Sequence, residues 1–245
     1  MKKYTDYIIE QMKHLLAIDS PTGFTAKVAE YLLKEYTRLG YQPWQTKKGG
    51  VAVCLGGEGE PVSLMAHTDT LGAMVAEVKA NGRLRLTPLG GLNANNTETE
   101  NCRVYSFDGS VYEGTIQLED ASIHVNGEFS NTKRSFDTVE VVLDEDVHTK
   151  EDVHKLGIEN GCMVCVEPRT RVTASGYIKS RFLDDKLSAV GDSDSHNLIE
   201  ERYGDATEPS IPGDPATWLH MHDLTPEHVI EALRDCRCYV TRHCR

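Results

Sequence analysis

The sequence lacks the features that would direct the protein to a membrane or a nucleic acid. No hydrophobic run approaches the roughly 20 residues of a membrane-spanning helix, and the first residues, Met1–Asp6, turn acidic without a signal-like apolar stretch. Basic residues are in the minority, with 26 Lys and Arg against 38 Asp and Glu, for a net charge of -12. Binding to phosphate backbones or anionic lipids requires basic patches. We therefore expect no nucleic-acid partner, no membrane partner and a cytoplasmic location.

The sequence also lacks a complete disulfide framework, a complete zinc-ribbon motif and a serine-hydrolase motif. The seven cysteines are an odd number, which argues against a full disulfide framework and favours free thiols. Cys162 and Cys165 have no second pair at zinc-ribbon spacing, and their apolar neighbours favour a structural role in a strand. No Gly-x-Ser-x-Gly motif supports a serine hydrolase. A C-terminal cluster has the residue types of a zinc site, but its spacing is unlike that of known zinc modules: Cys236, Cys238, His243 and Cys244.

The first part of the chain has the pattern of an α/β domain. At 245 residues the chain can form one large domain or two smaller ones. Apolar spacing predicts helices over 4–18 and 25–39. Strands are predicted over 41–45 and 51–55, joined by a hairpin, and over 62–66. The last of these is nearly all apolar, as expected of a strand covered on both faces by helices.

The middle of the chain, 74–176, changes to short alternating strands. One helix is predicted over 150–156, with Thr149 as its N-cap and Gly157 at its end. This pattern predicts a β-rich insert, either a small barrel or a sandwich. Three dipeptides in it are turn signals: Asn81-Gly82, Asp108-Gly109 and Asn126-Gly127.

The chain changes again after the insert. Residues from Leu183 to Val190 predict a helix that returns to the first domain, which gives the division 1–73, 74–176, 177–190 and 191–245. The segment 191–245 is atypical, because all thirteen Lys lie before residue 190. Two interpretations stay open for it: a polar, partly disordered extension, or a segment foreign to the fold that begins upstream.

His67 and Asp69 are the first candidate site residues. They follow the apolar strand predicted over 62–66, and in open α/β sheets ligands bind at the carboxyl ends of strands. A neutral imidazole can bind a divalent metal, and Asp69 can orient that imidazole or polarise a catalytic group. The alternative is a polar cluster without function, since a three-residue pattern is common by chance.

Asp184 and Asp185 are the second candidate site. They lie where the β-rich segment returns to the α/β part, and a carboxylate there can bridge two cations. The alternative is a solvated helix N-terminus, at which Asp is favoured by capping and by the helix dipole. For one of the two residues we favour this alternative.

Taken together, these motifs resemble the M42 family of metallo-aminopeptidases, the glutamyl aminopeptidase and endoglucanase M-like group. The resemblance runs from near the start to about Val190, and its last block is the most specific. The matching blocks are Ile18–Gly23, Met65–Gly72, Leu89–Asn93, Ser122–Asn126 and Gly176–Ser188.

The resemblance implies a phosphorylase/peptidase-like α/β catalytic domain, interrupted by a barrel-like insert through which copies form homo-oligomers. It implies peptide substrates, removal of N-terminal residues, and two divalent metals per subunit, zinc or cobalt. By motif, His67 would ligate one metal, Asp184 would bridge both, and Asp69 would be the catalytic residue that supports His67.

The sequence departs from the family pattern after Val190. The family has a Glu-Glu pair that supplies the general base and a ligand, and a late His ligand. Here Glu200 and Glu201 follow Asp184 too closely and lack a preceding apolar strand, and His220 and His222 have no matching context. Two hypotheses follow: an active dinuclear aminopeptidase, or an inactive relative, apparently truncated or altered after Val190, with an incomplete metal site.

Overall fold

The computed structural model describes residues 2–57, 65–186, 216–219 and 238–241. The chain divides into two compact units, Met1–Val28 with Asp69–Leu183 and Ala29–Thr68 with Asp184–Arg245. Among the described residues, no helix is both long and apolar enough to cross a membrane.

Two helices begin the chain, α1 (Lys2–Ala17) and α2 (Ala26–Arg38). Met12 and Leu16, one turn apart on α1, are both buried, as expected of a helix with one apolar face. The helices predicted over 4–18 and 25–39 are therefore confirmed, with small shifts at their ends.

A short hairpin follows α2. Strands β1 (Trp44–Gln45) and β2 (Val51–Ala52) pair antiparallel, and the Thr46 amide donates to the Gly50 carbonyl at 2.8 Å. The predicted hairpin is confirmed, with shorter strands than predicted. The strand predicted over 62–66 falls mostly on residues outside the described part of the chain.

Six strands form a closed antiparallel barrel in the first unit. Around the barrel the order is β3-β4-β7-β6-β5-β8, and β8 pairs back onto β3. Closure leaves no open sheet edge, and of the two predicted alternatives, a barrel or a sandwich, the structure has the barrel. The strands are β3 (Gly72–Val78), β4 (Leu84–Leu89), β5 (Asn101–Tyr105), β6 (Val111–Leu118), β7 (Val139–Leu143) and β8 (Met163–Val166).

Two of the three predicted turn dipeptides join neighbouring strands. Asn81-Gly82 joins β3 to β4 and Asp108-Gly109 joins β5 to β6, and both glycines have positive φ. Asn126-Gly127 instead lies within the long connection between β6 and β7. The Asn126 side chain donates to the Asp120 carbonyl and accepts from the Glu128 amide, so it stabilises a turn within the loop rather than a hairpin.

Helix α3 (Lys150–Lys155) has the predicted ends. Thr149 and Asp152 form a capping box, and Gly157 follows the helix with φ of 75°. Hydrogen bonds from Thr149, Lys155 and the His148 amide hold the pKa of Asp152 below its ordinary value. The helix is thus fixed by local interactions that are visible in the sequence.

Inward-facing apolar side chains fill the barrel. From Gly114 to Leu118 of β6 every second residue is buried, as a strand with one covered face requires. Cys102, Cys162 and Cys165 are buried and form no disulfide, in agreement with a structural role, and burial raises the pKa of Cys102 to about 12. The innermost residues include Val75, Leu84, Leu86, Val104, Ile116 and Val141.

The segment after α1 is fixed to the barrel by a buried carboxylate. Arg103 donates to Asp19 through Nε at 2.6 Å and Nη2 at 2.7 Å, and the Tyr105 hydroxyl donates at 2.7 Å. Both carboxylate oxygens are therefore satisfied. Burial, together with the hydrogen bond and charge of Asp19, raises the pKa of Tyr105.

Gly72 allows the same segment to approach β3. Pro21 and Thr70 form a parallel bridge, and the Thr70 amide donates to the Ser20 carbonyl at 2.8 Å. A Cβ on Gly72 would lie only 2.5 Å from the Pro21 Cβ, so a larger residue would displace the segment.

The return from the barrel corrects one prediction. After the paired strands β9 (Arg171–Val172) and β10 (Ile178–Lys179), the segment α4 (Leu183–Lys186) is not a regular helix. Asp184 has ψ of 116° and the Asp184–Asp185 peptide bond is cis. The predicted helix from Leu183 to Val190 is therefore irregular over its described residues, Leu183–Lys186, because the backbone angles of Asp184 and Asp185 are not helical. Residues 187–190 lie outside the described part.

The segment 191–245 contributes two described strands, β11 (Ala216–Leu219) and β12 (Cys238–Thr241), which pair antiparallel. The predicted domain boundaries at residues 73, 176 and 190, and the α/β catalytic domain that the insert interrupts, stay predictions.

Candidate metal centre

His67 and Asp184 lie side by side in the second unit. The His67 Nε2 atom is 3.3 Å from the Asp184 Oδ1 atom. Their side chains are 51% and 49% exposed, so each keeps a face open to a further ligand or substrate. The structure thus brings together the two residues that the sequence predicts as metal ligands.

The spacing of these two atoms fits ligation of one cation. Ligands bound at about 2.0–2.1 Å to a tetrahedral zinc lie about 3.3 Å from each other, and imidazole nitrogen and carboxylate oxygen are common zinc donors. Among the described residues no group of three or more His, Cys, Asp or Glu could hold a metal. The described residues therefore fit as part of a donor set.

Asp185 makes a second contact with His67 that the sequence does not predict. Its Oδ2 atom accepts from the His67 backbone amide at 3.4 Å, across 118 residues of sequence. Asp185 is 7% exposed, and its Oδ1 atom is buried with no hydrogen-bond partner within the described residues. Its only sequence signal is the Asp184-Asp185 repeat.

Asp69 lies in the first unit and contacts a residue of the first family-like block. Its Oδ2 atom accepts from the Thr22 hydroxyl at 2.6 Å. Thr22 is fixed in turn by its backbone amide, which donates to the Thr70 carbonyl at 3.2 Å. The predicted support of His67 by Asp69 stays a prediction.

The remaining sequence candidates lie outside the described residues, apart from the backbone of Cys238 in β12. They are Glu200, Glu201, His220, His222, Cys236, His243 and Cys244.

Comparison with known families bears on this pair of candidate ligands. Residues 49–194, which include His67, Asp69, Asp184 and Asp185, match the model of the M42 glutamyl aminopeptidase family. The chain belongs to this family. The resemblance drawn from the sequence motifs is confirmed.

Two relatives show how much of the family length is present. The YhfE protein of Bacillus subtilis is 42% identical over 187 residues, which cover 74% of this chain and 53% of that protein. The glutamyl aminopeptidase of Lactococcus lactis is 25% identical over 190 residues, which cover 75% of this chain and 52% of that protein. The chain thus spans about half the length of the curated relatives it matches.

Solved structures support the fold. An aminopeptidase of Desulfurococcus kamchatkensis superposes with a TM-score of 0.65 at 23% identity, over 76% of this chain and 50% of that chain. The TET1 peptidase of Pyrococcus horikoshii is described as assembling into a tetrahedron or a large octahedral shell. It superposes with a TM-score of 0.62 at 23% identity, over 73% of this chain and 52% of that chain. The M42 family member therefore has the fold of these peptidases over most of its length.

Proposed function

We propose that this M42 family member is a metal-dependent aminopeptidase that removes N-terminal residues from peptides. The observation that carries the proposal is the 3.3 Å approach of His67 Nε2 to Asp184 Oδ1 in a chain of this family. Two donors of the right chemistry meet there although more than a hundred residues separate them in sequence.

The protein side chains have separate roles in this proposal. His67 and Asp184 would hold divalent metal, zinc or cobalt, and the Asp184 carboxylate has the chemistry to serve two ions. Such a metal would supply an electrophile for activation of water and for polarisation of the scissile carbonyl. Asp69, fixed by the Thr22 hydroxyl, is the catalytic residue that keeps the His67 imidazole in the tautomer a metal ligand needs.

The substrate and assembly follow the relatives. We propose peptides with a free N-terminus, because relatives are named as glutamyl and lysyl aminopeptidases. We also propose that copies of the chain assemble through the barrel, since a similar structure is described as a dodecamer. Light scattering on the purified chain tests the assembly, and a monomer at all concentrations would contradict it.

The activity is tested by hydrolysis of aminoacyl-p-nitroanilides, including glutamyl and lysyl substrates, with zinc or cobalt added. His67→Ala and Asp184→Asn should abolish turnover, because each removes a metal donor. The matched control is Asp146→Asn, since the Asp146 side chain is 98% exposed and lies on the barrel unit. Absence of turnover with either metal, at a concentration that excludes contaminants, would refute the proposal.

A second candidate is a chain that binds metal weakly and has no activity. It is favoured by the observation that the described residues hold no group of three donors, whereas a dinuclear site needs more than two. Metal content after dialysis separates the candidates. Two ions per chain with ordinary affinity would eliminate the inactive alternative.

A further inference from the structure

The two consecutive aspartates contact the same residue from different sides. Asp184 approaches the imidazole of His67, whereas Asp185 accepts from its backbone amide. Asp184 is half-exposed and Asp185 is buried. The backbone angles of Asp184 and Asp185 are not helical, and the two side chains contact different parts of His67.

The buried Asp185 carboxylate lacks the hydrogen bonds that usually accompany burial of a charged group. A buried carboxylate normally accepts several hydrogen bonds, but Oδ2 has one long bond, and Oδ1 has no hydrogen-bond partner within the described residues. A buried acceptor left without a hydrogen bond destabilises the folded chain. Such departures from full pairing concentrate at functional sites, where another requirement outweighs stability.

We infer that Asp185 is a positioning residue of the metal centre, which holds the His67 backbone so that the imidazole faces the same cation as Asp184. This inference rests on the proposed metal-dependent function. The geometry supports it because two consecutive aspartates contact one residue: Asp184 Oδ1 lies 3.3 Å from the His67 imidazole, and Asp185 Oδ2 accepts from the His67 backbone amide at 3.4 Å. The bond from Asp185 restrains the His67 backbone beside Asp184.

The test is cobalt binding to the full chain, followed by the visible absorption of the bound ion. Asp185→Leu keeps a similar size but removes the acceptor, and should weaken cobalt affinity about 10- to 100-fold, the usual effect of losing such a partner. Asp185→Asn retains an oxygen that can accept from the His67 amide, and should bind within about threefold of the parent. Asp146→Leu makes the same change at an exposed carboxylate and should bind like the parent.

A double-mutant cycle decides whether Asp185 acts through His67. In a His67→Ala background the imidazole is absent, so Asp185→Leu should have no further effect on cobalt affinity. An equal loss in both backgrounds would overturn the inference, as would an Asp185→Asn variant as weak as Asp185→Leu. A cooperative urea transition for each variant shows that the comparison is made on folded protein.

The cycle also separates this inference from the proposed function. If His67→Ala binds cobalt like the parent, the proposal that His67 is a metal ligand is wrong. If His67→Ala loses affinity for cobalt and Asp185→Leu does not, only the positioning role of Asp185 is wrong.

Discussion

The side chain of Asp19 is 6% exposed and the residue Asp185 is 7% exposed, but the surroundings of the two carboxylates differ. The Asp19 carboxylate receives three hydrogen bonds, from the Arg103 guanidinium and the Tyr105 hydroxyl, at 2.6 to 2.7 Å. The Asp185 carboxylate receives a 3.4 Å bond from the His67 amide, and its Oδ1 has no hydrogen-bond partner within the described residues. The first carboxylate has what a structural role requires, whereas the second, beside the candidate ligands, has not. Similar burial therefore serves stability in the first unit and, in our proposal, function in the second.

The largest effect should come from Asp19→Ala. The change leaves the Arg103 guanidinium partly buried without its partner, and removal of one member of a buried pair costs about 3–5 kcal/mol. Urea unfolding followed by circular dichroism measures the loss. Asp146→Ala, at a side chain 98% exposed, is the control and should change stability by less than about 0.5 kcal/mol. An Asp19→Ala variant as stable as the control would remove the contrast with Asp185.

Metal addition should stabilise the folded chain through His67 and Asp184 and not through Asp19. Zinc or cobalt at a hundred times its dissociation constant should raise the free energy of unfolding by about 2.7 kcal/mol, less any binding to the unfolded chain. His67→Ala and Asp184→Asn should lose this increment. Asp19→Ala should keep it, because Asp19 belongs to the structural cluster; a lost increment in that variant would show that the two carboxylates are not independent.

Tyr105→Phe should have a smaller effect than Asp19→Ala. It removes one of three donors to Asp19 and leaves the Arg103 pair intact, so the expected cost is about 1.5 kcal/mol. The same urea experiment measures it. In an Asp19→Ala background the cost should largely disappear, since the acceptor is gone.

The smallest effect is expected at alkaline pH. Burial and then the bond and charge of Asp19 raise the pKa of Tyr105 in the folded chain. Above the ordinary tyrosine pKa of about 10 the unfolded chain releases this proton first, so stability that is present at lower pH declines as pH rises. The stability difference between the parent and Tyr105→Phe should therefore shrink between pH 9 and 11, by urea unfolding at each pH. A stability difference that stays constant between pH 9 and 11 would contradict the raised pKa of Tyr105.

The parts of the fold that depend on neighbours in sequence could be predicted. Helix α3 follows from Thr149, Asp152 and Gly157, and the hairpins at Asn81-Gly82 and Asp108-Gly109 follow from their turns. The strand order of the barrel could not, because the pairings of β4 with β7 and of β3 with β8 join distant segments.

The site could be predicted only in part for a similar reason. His67 and Asp184 have the residue types of metal donors, and the family motif connects them. The proposed role of Asp185 depends on its burial beside His67, and two identical neighbours give no sign of which one is buried. The strand prediction over 62–66 falls mostly outside the described residues.

The glycine at position 72 has a consequence for engineering this protein. Its hydrogen atom faces Pro21, two residues after Asp19, at a distance that no methyl group could occupy without displacing the proline. We therefore expect substitution by alanine to displace the segment that carries Asp19 and to weaken its hydrogen bonds with Arg103, although neither side chain is changed. A stabilising design should leave position 72 unchanged.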